Sequence, residues 1–249
     1  MTNWIAYATP KSSARLRLFC FPFAGGGASA YRSWLEALPA GIEVLPIQYP
    51  GRETRIREAP LTRIQPMVEL AAQALLPYLD RPFAFFGHSM GSLVAFELAR
   101  QLHRHHGIAP GHLFASGFRA PQLPYRSALR HDLPHDQFIA QLKALEGTPR
   151  EALESPELME FLLPILRADC EICDRYEYLP GAALPCPITA FGGTEDSDAE
   201  EPALALWQGH TLGRFQLKLF SGGHFFIQNA RVEVLSTLSA QLQVLLDEA

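Results

Sequence analysis

Apolar residues along this chain gather into six short runs, separated by longer stretches in which apolar and polar positions repeat at helical spacing. The runs are LRLFCF (16–21), IEVLPIQY (42–49), FAFFG (83–87), HLFASG (112–117), PITAFGG (187–193) and FQLKLF (215–220). Near-continuous apolarity predicts strands covered on both faces rather than half-exposed ones. Helices are predicted between them at about 29–38, 65–79, 90–106, 200–210 and 231–247. Alternating strands and helices predict the α/β class, a mainly parallel sheet with helices on both faces. From about 118 to 184 the alternation stops and only helical patterns remain: DQFIAQLKAL after Pro134, then SPELMEFLLPILRADCEICDRYEY, opened by the cap and first-turn pair Ser155-Pro156. This segment is predicted to be a helical lid inserted after a strand, within a single domain over 1–249.

Composition narrows the class. With 48% hydrophobic and 19% charged residues in 249, the chain can bury a sizeable core. A net charge of −5 without a long Lys/Arg run gives no footprint for nucleic acid. No basic segment with an apolar core opens the sequence and no apolar run reaches membrane-spanning length, so a cytoplasmic protein with no membrane partner is expected. Cys20, Cys170, Cys173 and Cys186 are too scattered for a disulfide framework and read as reduced thiols. Cys170 and Cys173 form a CxxC without a second ligand pair, so helix-borne thiols are expected and no metal. His103, His105 and His106 close a predicted helix, where imidazoles suit the negative dipole end.

The stretch FAFFGHSMGSLVAFELA places Gly87 and Gly91 two residues either side of Ser89, where a strand gives way to a helix. A serine on so tight a turn projects over the sheet edge, and only small residues fit beside it, which is the pattern of a nucleophile elbow. The N–H of Met90, at the start of the helix, is then one oxyanion donor. Hydrolases with this elbow order their residues Ser, acid, His. His224, on the glycine-rich loop SGGHFF after the last strand, is the predicted base. His88 is expected to point away from the Ser89 hydroxyl and support it from behind, and His210 to lie on a helix surface. PITAFGGTEDSDAEEP supplies the acid: Asp196 is chosen for its Gly-x-x-Asp spacing after the strand, with Asp198 as the alternative. The turn FCFPFAGGGAS ends the first strand and is expected to supply the second donor from Phe23, with Ala24 next. Its glycines lack the Lys and Ser/Thr of a phosphate loop and the GxGxxG spacing of a dinucleotide site.

Together FPFAGGGAS, YPGRETR, FGHSMGSLVAFELAR, FGGTED with LWQGHT, and SGGHFFI resemble the type II thioesterases that accompany polyketide synthases and nonribosomal peptide synthetases. The likeness runs nearly end to end and includes SGFRAP, HDLPHDQF and PELMEFLLPILRAD of the lid. It implies an α/β-hydrolase fold with a mobile lid, and hydrolysis of acyl groups from the phosphopantetheine arm of acyl and peptidyl carrier proteins, clearing aberrant or stalled units. It places the nucleophile, acid and base on Ser89, Asp196 and His224 and the donors on Phe23 and Met90. That family's acid often sits in an Asp-Asp or Ala-Asp pair, whereas here Glu195-Asp196 is followed by Asp198. No diffusible cofactor is implied, and a monomer is expected. Because carrier proteins are usually acidic, Arg52, Arg55 and Arg57, with Arg126 and Arg130 of the lid, are candidate docking contacts. A small-molecule esterase or product-releasing cyclase would use the same triad, and a non-catalytic binding protein the same fold.

Overall fold

The computed structural model describes residues 2–8, 11–124, 130–145 and 153–248. Among them, strands β1 (Leu16–Phe21), β2 (Ile42–Pro46), β3 (Phe83–His88), β4 (His112–Ser116), β5 (Ile188–Gly193) and β6 (Phe215–Phe220) form one sheet in the order β2-β1-β3-β4-β5-β6. Every neighbouring pair is parallel. The α/β class and the parallel sheet expected from the apolar runs are therefore present, and β1 and β6 have the predicted bounds. β2 stops three residues early, at Pro46; Ile47 still donates to the Cys20 carbonyl at 2.9 Å and bridges Ile5 in the antiparallel sense.

Both faces of the inner strands are covered, which is why these are mostly apolar, whereas edge strand β6 is half-exposed and carries Gln216 and Lys218. On one face Phe19 and Phe85 pack beneath α1 (Ile64–Leu75) and α2 (Met90–His106), against Val68, Leu93 and Leu98. On the other, Leu18 and Phe86 pack against Trp34, Val234 and Leu238. The last two belong to the C-terminal helix. α2 ends where the pattern predicted, at Gly107, whose φ of +67° and open surroundings suit the left-handed cap that donates to the His103 carbonyl.

The segment between β4 and β5 carries α3 (His135–Ala144) and α4 (Pro156–Asp174). Ser155 caps α4 by accepting from the Leu158 N–H at 3.3 Å, and Pro156 occupies its first turn. The two helices share a small core of their own, centred on Phe138, Leu142, Leu163 and Leu166. Beyond β5 come α5 (Glu201–Ala205), α6 (Phe226–Asn229) and the C-terminal α7 (Arg231–Glu248). Two predicted helices are tighter than expected: 29–38 is a 3-10 turn over Ala28–Trp34, and 200–210 breaks into α5 and a 3-10 turn over Leu206–His210. His210 is not on the surface. It is buried between Phe96, Tyr178 and Trp207, with Nε2 2.5 Å from Gln122 Oε1. Among the described residues no helix is long and apolar enough to cross a membrane.

Topology places the site. The chain runs from β1 out to β2 and then returns to β3 on the other side of β1, so the direction of winding reverses between β1 and β3. Loops leaving the carboxyl ends of two such strands diverge and leave a crevice. Register sets Phe21 beside Gly87, so the turn after β1 and the turn after β3 face each other across it.

Candidate active site

Ser89 occupies the turn between β3 and α2 with φ 53° and ψ −124°, a conformation that side chains rarely adopt. The surroundings hold it there. Its N–H donates to the Ser116 carbonyl at 2.7 Å. The Ser92 hydroxyl lies 2.7 Å from the Gly87 carbonyl and 2.8 Å from the Ser116 carbonyl, and accepts the Ser116 N–H at 2.9 Å. The flanking glycines are required by contact: a Cβ at Gly87 would stand 2.2 Å from the Gly91 carbonyl oxygen, and one at Gly91 would stand 2.0 Å from that of Phe21.

Asp196 and His224, the predicted acid and base, lie on the loops that follow β5 and β6. These two loops approach so closely that a Cβ on Gly193 would meet the Gly223 and Gly222 carbonyl oxygens at 2.4 and 2.5 Å. The Glu195 N–H donates to the Gly222 carbonyl at 2.9 Å and ties them together. His224 Nδ1 lies 2.8 Å from Asp196 Oδ2, and its Nε2 lies 2.9 Å from Ser89 Oγ. A carboxylate can only accept, so Nδ1 carries the hydrogen and Nε2 offers its lone pair to the serine hydroxyl. The Asp196 side chain is 1% exposed, and its other oxygen accepts the Asp198 N–H at 3.0 Å. Asp198 thus orients the Asp196 carboxylate through its backbone, and its own carbonyl accepts from Arg119 Nε and Nη2 at 3.2 and 3.0 Å.

His88 lies behind this line, fully buried, with Nδ1 2.9 Å from Ser116 Oγ and its ring 5.3 Å from that of His224. Burial pushes its imidazole well below the ordinary histidine range, and neighbouring His224 pushes it the same way. It therefore stays neutral beside any charge that forms on His224. Phe23 and Phe225 close over it, the two rings edge to face at 4.9 Å.

Openings among the described residues lie near these loops. One, about 670 Å³, lies beside the glycine-rich turn and is walled by Phe23, Trp34, Phe161, Ile165, Leu166 and Ile227. Another, about 220 Å³, is lined by Leu145, Asp196 and His224. Met90 opens α2, so its N–H has no acceptor within the helix.

The docking arginines need correction. Arg52 is 3% exposed because Asp169, on α4, takes both ends of its guanidinium, Nη1 to Oδ2 at 2.5 Å and Nη2 to Oδ1 at 2.8 Å. Arg55 is 7% exposed because it is forked onto Glu58 at 2.7 and 2.5 Å, donates to the Gln48 carbonyl at 3.0 Å and covers the Trp4 ring. Neither side chain is presented to a partner. Arg57 is exposed, Arg130 lies against Asp132 and Asp174, and Arg126 falls outside the described residues.

Asp169, Ser92 and Ser116 were missed. The only local trace of Asp169 is a carboxylate on the apolar face of FLLPILRADC, and of Ser92 a hydroxyl on the buried side of α2. Cys170 and Cys173 are both buried on α4, and burial pushes the Cys170 thiol up, away from the reactive thiolate. Among the described residues, His131, Asp132 and Asp174 bring metal-type donors within 4.8 Å of one another. His131 Nδ1 already lies 2.6 Å from Asp174, and Arg130 3.5 and 3.8 Å from the two carboxylates.

Comparison with known proteins adds to this geometry. The family described as Thioesterase domain matches residues 16–242. Gramicidin S biosynthesis protein GrsT of Aneurinibacillus migulanus is 44% identical over 246 residues, covering 99% of this chain and 96% of that protein. The RedJ thioesterase from the prodiginine pathway of Streptomyces coelicolor superposes with a TM-score of 0.87 at 37% identity, over 93% of this chain and 87% of that one. The type II thioesterase BorB from the borrelidin biosynthetic cluster gives 0.87 at 35% identity, over 94% and 95%.

Proposed function

Since this chain belongs to the Thioesterase domain family, we propose that it hydrolyses acyl groups from the phosphopantetheine arm of carrier proteins in polyketide or nonribosomal peptide assembly lines, clearing aberrant or stalled units. The observation that carries the chemistry is the unbroken line Asp196, His224, Ser89, with contacts of 2.8 and 2.9 Å. The pathway class is supported by GrsT, named for gramicidin S biosynthesis, and by BorB, described as a type II thioesterase of a biosynthetic cluster.

In this mechanism Nε2 of His224 takes the Ser89 proton as Oγ attacks the thioester carbonyl, and Asp196 holds the ring and balances the imidazolium. The tetrahedral oxyanion is met by the N–H groups of Met90 and Phe23. Collapse expels the pantetheine sulfur, which takes the proton from His224 and leaves an acyl-serine. Water then attacks the acyl-serine with His224 again as base, releasing the acid. A neutral His88 adds no second cation against the imidazolium. α3 and α4 of the inserted segment serve as a lid, and the apolar opening beside Phe23, Trp34 and Phe161, next to the turn that supplies the Phe23 N–H, is where this reading lays the acyl chain. Of the sequence-derived docking arginines, exposed Arg57 remains the candidate for an acidic carrier surface.

The test compares acetyl, propionyl and butyryl groups on a phosphopantetheinylated carrier protein with the same groups on free thioesters. Turnover that favours the carrier-bound form and disappears in Ser89→Ala is expected. Equal turnover of free esters with no gain from the carrier would instead indicate a small-molecule esterase.

A further inference from the structure

One buried carboxylate outside the triad reaches into the glycine-rich turn. Asp169 is fully buried on α4 and accepts three hydrogen bonds, two from Arg52 and one from the Gly25 N–H at 2.7 Å. Arg52 Nη1 also reaches the Gly26 carbonyl at 3.2 Å, and its Nε the Pro50 carbonyl at 3.3 Å. Within the turn the Gly26 N–H donates to the Phe23 carbonyl at 2.9 Å. Leu166, three residues before Asp169 on the same helix, presses on Gly25 so closely that a Cβ there would stand 2.3 Å from its Cδ2.

These contacts act on backbone that has few restraints of its own. Gly25 has φ +77°, and Gly25, Gly26 and Gly27 follow one another, so the turn has wide conformational freedom and no side chains to restrict it. Asp169 fixes the peptide group before Gly25 and Arg52 fixes the one after Gly26. The first residue of the turn, Phe23, carries the second oxyanion donor of the mechanism above. Charge matters too: a lone carboxylate beneath this turn would oppose an oxyanion, and the forked Arg52 neutralises it. Burial works against the charged guanidinium, but the Asp169 carboxylate more than offsets this and holds its pKa above the ordinary value.

We propose that Asp169, braced by Arg52, is the positioning residue of the oxyanion turn, so that seating α4 of the inserted segment on the turn aims the Phe23 N–H at the reacting carbonyl. This rests on the thioesterase reading of Ser89. It assigns a catalytic consequence to the helix of the inserted segment beyond covering the cleft: with α4 displaced, the glycine turn loses its Asp169 anchor, Arg52 loses the carboxylate that braces it, and the site keeps its triad but only one aimed donor.

The experiment uses the full chain with Asp169→Asn and Arg52→Lys, each assayed well below its own Tm. With its oxygen in the place of Oδ2 the amide at 169 still accepts from Gly25 and from Arg52 Nη1, but its NH2 group faces Arg52 Nη2, which breaks the fork and leaves the guanidinium charge unneutralised; lysine keeps the charge and loses the fork. For Asp169→Asn, kcat on a butyryl thioester should fall about 10²-fold with KM within about twofold of wild type. Arg52→Lys should move the same way by a smaller factor. Butylboronic acid, which forms a tetrahedral adduct on Ser89, should weaken in step with kcat/KM, while a thioether analogue lacking the carbonyl keeps its Kd. A purely structural role would lower Tm and weaken both ligands together, and that result would overturn the proposal. So would a folded Asp169→Asn with kcat and boronate affinity within twofold of wild type. Should Asp169→Asn not fold, Arg52→Lys is read by the same criteria. If wild type shows no Ser89-dependent hydrolysis, the functional reading fails, and Asp169-dependent boronate binding still decides the role of the turn.

Discussion

Replacing Gly91 with alanine should disable the site from one methyl group. A Cβ there would meet the Phe21 carbonyl oxygen at 2.0 Å, the Phe21 carbonyl carbon at 2.7 Å and the Pro22 oxygen at 2.8 Å. All three are backbone atoms, so no rotamer change relieves the clash. The start of α2 and the end of β1 must part by about 1 Å before the closest contact reaches even a compressed distance. Overpacking of this kind costs about 1–3 kcal/mol. The Phe21 oxygen also accepts the buried Tyr31 hydroxyl at 2.8 Å, and moving it away exposes a further cost of about 1–3 kcal/mol. A loss near 3 kcal/mol in a chain of this size lowers Tm by about 6–12 °C. The displaced atoms are those that carry Met90 and lead into Phe23, so a misplacement of about 1 Å should reduce kcat about 10²-fold in the molecules that remain folded. Thermal melts and thioester kinetics read the two effects separately. Gly209→Ala is the control, since nothing lies within 4 Å of its Cβ, and it should change stability by less than about 0.5 kcal/mol. Wild-type kcat in Gly91→Ala, or equal damage from Gly209→Ala, would refute the argument from close approach.

Asp196→Asn keeps the shape of the acid but lets the wrong His224 tautomer form, and kcat should fall about 10⁴-fold; Asp198→Asn leaves the backbone N–H to Asp196 in place and should cost less than about tenfold. A reversed order in thioester kinetics would transfer the acid to Asp198. Burial holds His112 at about 4 against an ordinary 6.5, so between these values the unfolded chain binds a proton that the folded one refuses. Its contribution is therefore full above pH 6.5 and is lost as pH falls toward 4, at up to about 1.4 kcal/mol per pH unit. Urea denaturation should show His112→Gln with a shallower acid limb by that amount, and an unchanged slope would contradict the assignment. Arg55→Ala should lower Tm without changing the KM for a carrier-bound thioester, because the side chain is buried on Glu58 and Trp4. Arg57→Glu should raise that KM at low salt and leave Tm alone, and a KM that does not move would remove Arg57 from the docking surface.

What the sequence determined by itself was local or ordinal. Six apolar runs marked six strands: five are buried on both faces and admit few polar residues, while the edge strand β6 shows the alternation of a half-exposed strand. Gly87-x-Ser89-x-Gly91 was readable because steric exclusion acts within five residues. That His224 and Asp196 would lie together was readable from chain order, since loops at successive strand ends converge on one sheet edge. Tertiary structure alone decided which partner each charge would meet. Arg52 and Asp169 are 117 residues apart, and nothing near either shows that one neutralises the other inside the protein. Arg52 and Arg55 therefore read as surface charges in GRETR, while folding buried both. His210 followed a helical pattern, yet the turn broke at α5 and the imidazole found Gln122, 88 residues away. Asp196 and Asp198 differ by two positions in the same loop, and the close approach of Gly193 to Gly222 and Gly223 put the first against His224. The physical reason is common to these cases. Hydrophobic burial and backbone sterics follow from each residue and its near neighbours, whereas an ion pair or hydrogen bond depends on where a distant donor arrives once the sheet has formed.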